Sequence, residues 1–313
     1  MSRLFKITLT VFSICLIFLN CRNKVDKYDS PINGKIFISV DESFKPVISE
    51  EIKVYESTHP GTKIIASYKS EADCFRDLDK DSTRLIIVSR GLTDAENEYY
   101  KQKLSYKVQW DIVAYDAVAV IVNIHSKDSV FTINQIKSYL NGTDTSKQVA
   151  VDGRNATSTV MYLKDSLLKG GQLGKNVTAA AGSKELINYV ASDINAIGFV
   201  GTSWIGNEDD TAQQRYDKYI RTALIECINC EKGVFARPSQ ATISAGEYPL
   251  FRPLYYALKE NTTGLGTGFV TFLGLEQGQL IFRRSYLVPA KMDFSVRKSM
   301  MESSNNLLNK TIE

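Results

Sequence analysis

The chain has 313 residues, a hydrophobic fraction of 43% and a formal net charge of +3. This length suits two α/β lobes or one large domain, and the apolar content is sufficient for a packed core. The nearly balanced charge provides no basic field of the kind that binds nucleic acid, so we expect no nucleic-acid partner.

The N-terminus has the pattern of a bacterial lipoprotein signal. Arg3 and Lys6 precede a short apolar run, and Cys21 follows that run. We predict a signal peptide over residues 1–20, lipid attachment to Cys21 and a polar tether over residues 21–32. A plain cleaved signal or an uncleaved anchor, with Cys21 incidental, is the alternative. The predicted anchor places the protein in the cell envelope, facing the periplasm.

Apolar runs typical of strands alternate with helical patterns along the chain, which indicates an α/β protein. The first alternation predicts strands at 35–40, 63–68 and 85–88 and helices at 44–55, 71–78 and 93–104. The long, β-branched run at 111–122 predicts a buried strand that crosses between two lobes. Further helices are predicted at 133–140, 157–168, 183–191 and 268–284, and further strands at 149–152, 196–200, 220–225 and 254–258.

The cysteines beyond the signal allow one local disulfide. Cys227 and Cys230 are separated by two residues near the end of a predicted strand, and Cys74 is left over. The spacing fits either a small disulfide loop or two free thiols. A zinc site would need a second pair of cysteines or more than the two histidines of the chain, so we expect no metal and no cofactor.

Hydroxyl side chains gather at three predicted strand-to-helix junctions. Ser43 and Phe44 follow the first strand, and Ser70 precedes the helix after the second strand. The start of a helix offers free N–H donors and the positive end of the helix dipole, and both favour an anion. Each junction also fits an ordinary N-cap. The third junction has the richest set of candidate ligand contacts, namely Asp152, Arg154, Asn155, Thr157, Ser158 and Thr159.

A fourth candidate segment is the end of the third strand. Ser89 and Arg90 place a hydroxyl and a guanidinium beyond the carboxyl end of a strand, where open α/β sheets bind ligands. The alternative is that Arg90 pairs with a neighbouring acid while Thr93 and Glu96 form a capping box.

The order of these segments resembles the PstS-type phosphate-binding family. The resemblance extends over residues 41–289 and includes the Ser-Arg pair at 89–90 and the hydroxyl run at 157–159. It also includes the Ala-Ile-Gly-Phe-Val strand at 196–200 and the Tyr-Pro-Leu-Phe-Arg return strand that begins at residue 248.

The resemblance implies an α/β fold of the two-lobed periplasmic-binding-protein type II architecture, with two crossover strands. Lobe 1 would comprise residues 33–118 and 240–292, lobe 2 residues 119–239, and a C-terminal tail residues 293–313. The family implies a monomeric receptor that closes its cleft on an oxyanion, with inorganic phosphate as the expected ligand. An ABC permease would be its partner for uptake or sensing.

Two departures from the family pattern bear on the ligand. Arg90 stands where many members carry an Asp that accepts the proton of hydrogen phosphate. This predicts reduced discrimination against sulfate or arsenate unless Asp41, Glu71 or Asp152 takes that role. The anion loops are also poor in glycine, which leaves open a surface interaction lipoprotein that has lost the ligand. A phosphate-processing enzyme is a further rival, but we expect no enzyme because no nucleophile, base and orienting acid stand at a recognisable spacing.

Overall fold

The structure, a computed structural model, describes residues 29–153, 157–207 and 209–292. Several predicted features lie outside these residues: the signal peptide, Cys21 and most of the tether, Arg154, Asn155 and the tail at 293–313. None of the helices in the described ranges has the length and apolar character that a membrane crossing requires.

Strands and helices alternate as the sequence predicts. The strands are β1 (Asn33–Asp41), β2 (Gly61–Lys69), β3 (Thr83–Val88), β4 (Gln109–Asn123), β5 (Val130–Phe131), β6 (Gln148–Asp152), β7 (Val177–Ala180), β8 (Ala196–Gly201), β9 (Ile220–Thr222), β10 (Leu224–Glu226), β11 (Phe235–Ala236), β12 (Phe251–Leu258) and β13 (Val288–Pro289). The α-helices are α1 (Lys45–Thr58), α2 (Glu71–Leu78), α3 (Asp94–Leu104), α4 (Ile133–Asn141), α5 (Ser158–Tyr162), α6 (Ser183–Ser192), α7 (Thr211–Gln214), α8 (Gln240–Ser244), α9 (Leu265–Gly274) and α10 (Glu276–Arg284).

One long sheet organises the described chain, with the strand order β2-β1-β3-β12-β4-β8-β6-β7. We call β1, β2 and β3, which run parallel, the first half-sheet. We call β6, β7 and β8, which are also parallel, the second half-sheet. β4 joins them, because its first part pairs antiparallel with β12 and its last part pairs antiparallel with β8. This α/β arrangement confirms the predicted fold class.

The core is divided between the two half-sheets. One group of buried side chains lies between the first half-sheet and α1, α9 and α10; it includes Ile38, Phe44, Leu254 and Phe269. Another surrounds the last part of β4 and includes Val120, Ile136 and Phe199. The chain passes from one group to the other within β4 and returns just before β12, where the Val118 amide donates to the Leu250 carbonyl at 2.8 Å. We retain the predicted lobe boundaries as a proposal that this division supports.

Local signals explain where the correctly predicted helices begin. The predicted capping box of Thr93 and Glu96 is present at the start of α3. Ser70 caps α2, and its hydroxyl accepts the Asp73 amide. Such caps depend only on neighbouring residues, so the sequence reveals them directly.

Three predicted elements need correction. The single strand predicted at 220–225 is two strands, because β9 pairs with β4 whereas β10 pairs with β5 and β11 in a separate sheet. The helix predicted at 268–284 is interrupted at Leu275, whose backbone is extended and separates α9 from α10. The helix predicted at 157–168 continues beyond Tyr162 as a π-helix, Leu163–Leu167. The strands β5, β7, β11 and β13 and the short helices α7 and α8 have no counterpart among the predicted elements.

Candidate functional site

The carboxyl ends of β1 and β6 bring two of the predicted junctions into direct contact. Asp41 ends β1, and a 3₁₀ turn, Glu42–Phe44, follows it. Thr157 caps α5, and its hydroxyl donates to the carbonyl and the carboxylate of Asp152 at 2.9 Å each. The described polar residues here, Asp41, Ser43, Asp152, Thr157 and Ser158, are buried, so their polar groups must find partners within the protein.

Hydrogen bonds connect the two junctions across the half-sheets. The Ser43 hydroxyl donates to the Asp152 carboxylate at 3.0 Å and lies 3.2 Å from the Thr159 hydroxyl. In the opposite direction, Ser158 donates to the Asp41 carboxylate through its hydroxyl at 2.6 Å and through its amide at 3.1 Å. The Thr159 hydroxyl donates to Asp152 at 3.0 Å. We call Asp41, Ser43, Asp152, Ser158 and Thr159 the buried cluster.

Arg252, which is not among the contacts predicted from the sequence, contributes a guanidinium to the buried cluster. It lies in β12 and is 2% exposed. One guanidinium nitrogen donates to the Ser158 hydroxyl at 3.0 Å and to the Thr159 hydroxyl at 3.2 Å. Its charge also lies over the ring of Phe44, 4.9 Å from the ring centroid. The signal that could have revealed Arg252 is its position as a charged residue within the apolar return strand that begins at residue 248.

Asp116 neutralises Arg252 from the neighbouring strand β4. Two guanidinium nitrogens contact one carboxylate oxygen of Asp116, and the other oxygen accepts the amide and hydroxyl of Thr202. Gly201 packs tightly here, because a Cβ at this position would lie 3.2 Å from the Asp116 carboxylate and 3.2 Å from the Ser43 carbonyl. A side chain at this position would have to push its neighbours back by a few tenths of an ångström, so glycine allows β8 its close approach to the ion pair.

Acidic groups surround the buried cluster. Burial, and then the charge of Asp41, raises the pKa of Asp152 to about 7. Burial also raises the pKa of Glu42, which accepts the Ser183 hydroxyl at 2.9 Å. Glu71 has a raised pKa mainly because it is buried, although it accepts the amide and hydroxyl of Ser89. Carboxyl groups therefore outnumber cationic groups among the described residues at this position.

Two other predicted contacts, Ser70 and Arg90, lie outside the buried cluster. Ser70 lines an open cleft of about 500 Å³ together with Lys69, Gly153 and Thr157. Arg90 is not brought to the buried cluster, because its guanidinium pairs with Glu96 at 2.8 and 2.9 Å at the protein surface. Hydrogen bonding to Arg90 lowers the pKa of Glu96. The structure thus places Arg90 in an ion pair with a neighbouring acid, the alternative to a ligand contact.

The cysteines and acidic groups do not form a metal centre within the described residues. Cys227 and Cys230 are joined in a disulfide, and Cys74 is a buried free thiol whose pKa is raised by burial. Over the part of the chain that the structure describes, no group of three or more His, Cys, Asp or Glu side chains could hold a metal ion.

Comparison with known proteins identifies a family. The family model described as the PBP superfamily domain matches residues 27–275. A curated relative, the phosphate-binding protein PstS of Pseudomonas aeruginosa, is 23% identical over 293 residues, which cover 84% of this chain and 86% of the relative. These matches confirm the resemblance to PstS-type proteins.

Solved structures share the fold. A candidate phosphate ABC transporter substrate-binding protein from Clostridium perfringens, with bound phosphate, superposes with a TM-score of 0.67 at 20% identity, covering 82% of this chain and 100% of that one. An ABC-type phosphate transport receptor from Vibrio cholerae superposes with a TM-score of 0.60 at 18% identity, with the same coverage of both chains.

Proposed function

Because this chain belongs to the PBP superfamily, we propose that it is an extracytoplasmic receptor that captures an oxyanion, with inorganic phosphate as its ligand. The similar proteins from Pseudomonas, Clostridium and Vibrio are described as phosphate-binding or phosphate-transport proteins. A receptor of this kind needs positioned donors and no reacting group, so the proposal includes no catalytic step.

The convergence of donors from both half-sheets is the observation that carries the proposal. Ser43 comes from the end of β1, whereas Ser158 and Thr159 begin α5 after β6, and these hydroxyls lie about a hydrogen bond apart. Arg252 reaches two of them from the crossing region. A micromolar Kd requires about −8 kcal/mol. Several charge-assisted hydrogen bonds of roughly 1.5–3 kcal/mol each are sufficient after the cost of closure.

The acids of the buried cluster favour an oxyanion that carries a proton. The proposed acceptor is Asp152, one of the carboxylates expected to replace the missing acceptor at Arg90, because it lies beside the Ser43 and Thr159 hydroxyls. A carboxylate accepts a hydrogen bond from a protonated phosphate or arsenate but repels sulfate, which has no proton at neutral pH. We therefore propose that discrimination against sulfate is retained.

The proposed receptor closes its two lobes on the anion and then delivers the anion to a transporter. Residues 33–118 with 240–292, and residues 119–239, are proposed as two lobes that close on the anion. Ser70, Ser89 and Thr157 are retained as proposed contacts, and Arg154 and Asn155, which lie outside the described residues, stay predictions from the sequence. We also propose a monomer that is held to the membrane through lipid on Cys21 and that delivers its ligand to an ABC permease.

Calorimetry with phosphate, arsenate and sulfate tests the proposed function. We expect saturable heat with phosphate and arsenate and no heat with sulfate. Equal heat with all three anions would refute the role of the acids. Heat with none of the anions would refute the receptor function itself.

One observation favours a second candidate function, a surface interaction lipoprotein that retains the scaffold without a ligand. The hydroxyls and the guanidinium already hydrogen-bond to Asp41, Asp116 and Asp152. The excess of carboxyl groups would also oppose an incoming anion. A thermal shift scan separates the candidates, since the melting temperature of such a protein would not respond to any of the three anions.

A further inference from the structure

The carboxylate of Asp41 contacts donors from both half-sheets. It accepts the Ser43 amide at 3.0 Å from its own half-sheet. It accepts the Ser158 hydroxyl at 2.6 Å and the Ser158 amide at 3.1 Å from the other. The side chain of Asp41 is fully buried. An oxyanion held between the half-sheets would have to make the same set of contacts.

The backbone fixes this carboxylate in place. Asp41 is the last residue of β1 and is paired in register with Lys69 of β2. A group attached to the backbone is present at a high effective concentration next to its donors, whereas a free anion must be captured from solution. Asp41 is therefore a strong intramolecular competitor for the donors.

Neighbouring contacts across the half-sheets support the same closed arrangement. The Ser203 hydroxyl donates to the Ser43 carbonyl at 3.0 Å. The Ser183 hydroxyl donates to Glu42, the residue that follows Asp41. These bonds join the segment after β1 to two different segments beside the second half-sheet.

We propose that Asp41 is an internal ligand, which occupies the oxyanion position and holds the two half-sheets together through Ser158. External phosphate binds by displacing this carboxylate from Ser158, so Asp41 sets the affinity of the receptor. The displacement step rests on the proposed oxyanion-binding function, whereas the closure by Asp41 does not.

The test uses the full chain with Asp41→Asn and Asp41→Ala, and Asp144→Asn is the matched control. Asparagine keeps the size of the side chain and is a good N-cap, so Asp41→Asn removes mainly the charge. Asp144 lies in the loop between α4 and β6, away from the buried cluster, and its carboxylate accepts the Ser146 amide. Two quantities are measured: hydrogen–deuterium exchange over residues 157–163 and 183–187 without added anion, and the phosphate Kd by calorimetry.

We expect both Asp41 variants to exchange about tenfold faster in these two segments and to bind phosphate about tenfold more tightly, while the control behaves as the wild type. Unchanged exchange in both variants would overturn the internal-ligand role. Faster exchange with an unchanged or weaker phosphate affinity would overturn the displacement step. Faster exchange with no phosphate heat in any protein would support closure by Asp41 and refute the oxyanion-binding function.

Discussion

Arg252 and Asp116 lie directly opposite each other in the antiparallel register of β12 and β4. Two guanidinium nitrogens of Arg252 contact one carboxylate oxygen of Asp116, at 3.0 and 3.2 Å, and both side chains are almost completely buried. The same guanidinium also donates to the hydroxyls at the start of α5. Through this ion pair, β4, which connects the two half-sheets, is linked to the proposed anion site.

Replacing Arg252 should destabilise the fold strongly. Arg252→Ala leaves Asp116 as an uncompensated buried charge, and we expect a loss of roughly 3–5 kcal/mol in the free energy of unfolding. Urea denaturation measures this loss. The matched control is Arg284→Ala, because Arg284 pairs with Asp209 where both side chains are more than 60% exposed. That loss should be about 0–1 kcal/mol. Similar losses in the two variants would contradict the structural importance of the buried pair.

Removing a single hydroxyl from the buried cluster should weaken phosphate binding. Thr159→Val retains the shape of the side chain but removes a hydroxyl that lies beside Ser43 and Arg252. We expect a loss of about 1.5–3 kcal/mol in binding free energy, measured by calorimetry. Thr271→Val is the control, because the Thr271 hydroxyl donates to the Thr267 carbonyl within α9, on the surface of the protein. If both variants bind phosphate like the wild type, the anion site lies elsewhere.

Stability should depend on the ionisation of Asp152. The pKa of Asp152 is about 7 in the folded protein, whereas its ordinary value is 3.8. The folded state therefore keeps the Asp152 proton to a higher pH than the unfolded state. The free energy of unfolding therefore falls as pH rises from about 4 to about 7, with a contribution of roughly 4 kcal/mol.

Urea denaturation of the wild type and Asp152→Asn across this pH range tests the assignment. The variant should show a smaller decline, and the raised pKa values of Glu42 and Glu71 should leave a residual slope of the same sign. A decline of equal size in both proteins would show that Asp152 does not titrate in this range.

Lipid attachment should depend on Cys21 alone. Cys21→Ala removes the only thiol at the predicted signal boundary, and we expect the protein to leave the detergent phase in a phase-partition experiment. Cys15→Ala, within the predicted signal peptide, is the matched control and should partition like the wild type. Retention of the Cys21 variant in the detergent phase would favour an uncleaved anchor.

Local features of the sequence predicted much of the proposed site. Ser43, Asp152, Ser158 and Thr159 are predictable because each lies near the junction of a strand and a helix, and such junctions depend on neighbouring residues. The structure brings these four residues together. Asp41 was also foreseen as a candidate acceptor, although its contact with Ser158 involves residues 117 positions apart.

Long-range pairing explains what the sequence did not reveal. Arg252 acquires its role from Asp116, which is 136 positions away in the chain. Arg90 looked equally suitable at the end of its strand, but Glu96 is six positions away and captures its guanidinium. The break between β9 and β10 likewise depends on their different partner strands, because the residues themselves favour a continuous strand.

The position of β12 in the sheet has a consequence for how this chain is made. β12 lies between β3 and β4, and the core of the first half-sheet also includes Phe269, Leu273 and Phe282. The half of the protein that is synthesised first therefore lacks a complete core until nearly the whole chain has emerged from the ribosome. Contacts of such large sequence separation form slowly. If the polypeptide is exported, as we propose, such a delay would leave time for its transfer to a translocation channel before the first half-sheet can fold.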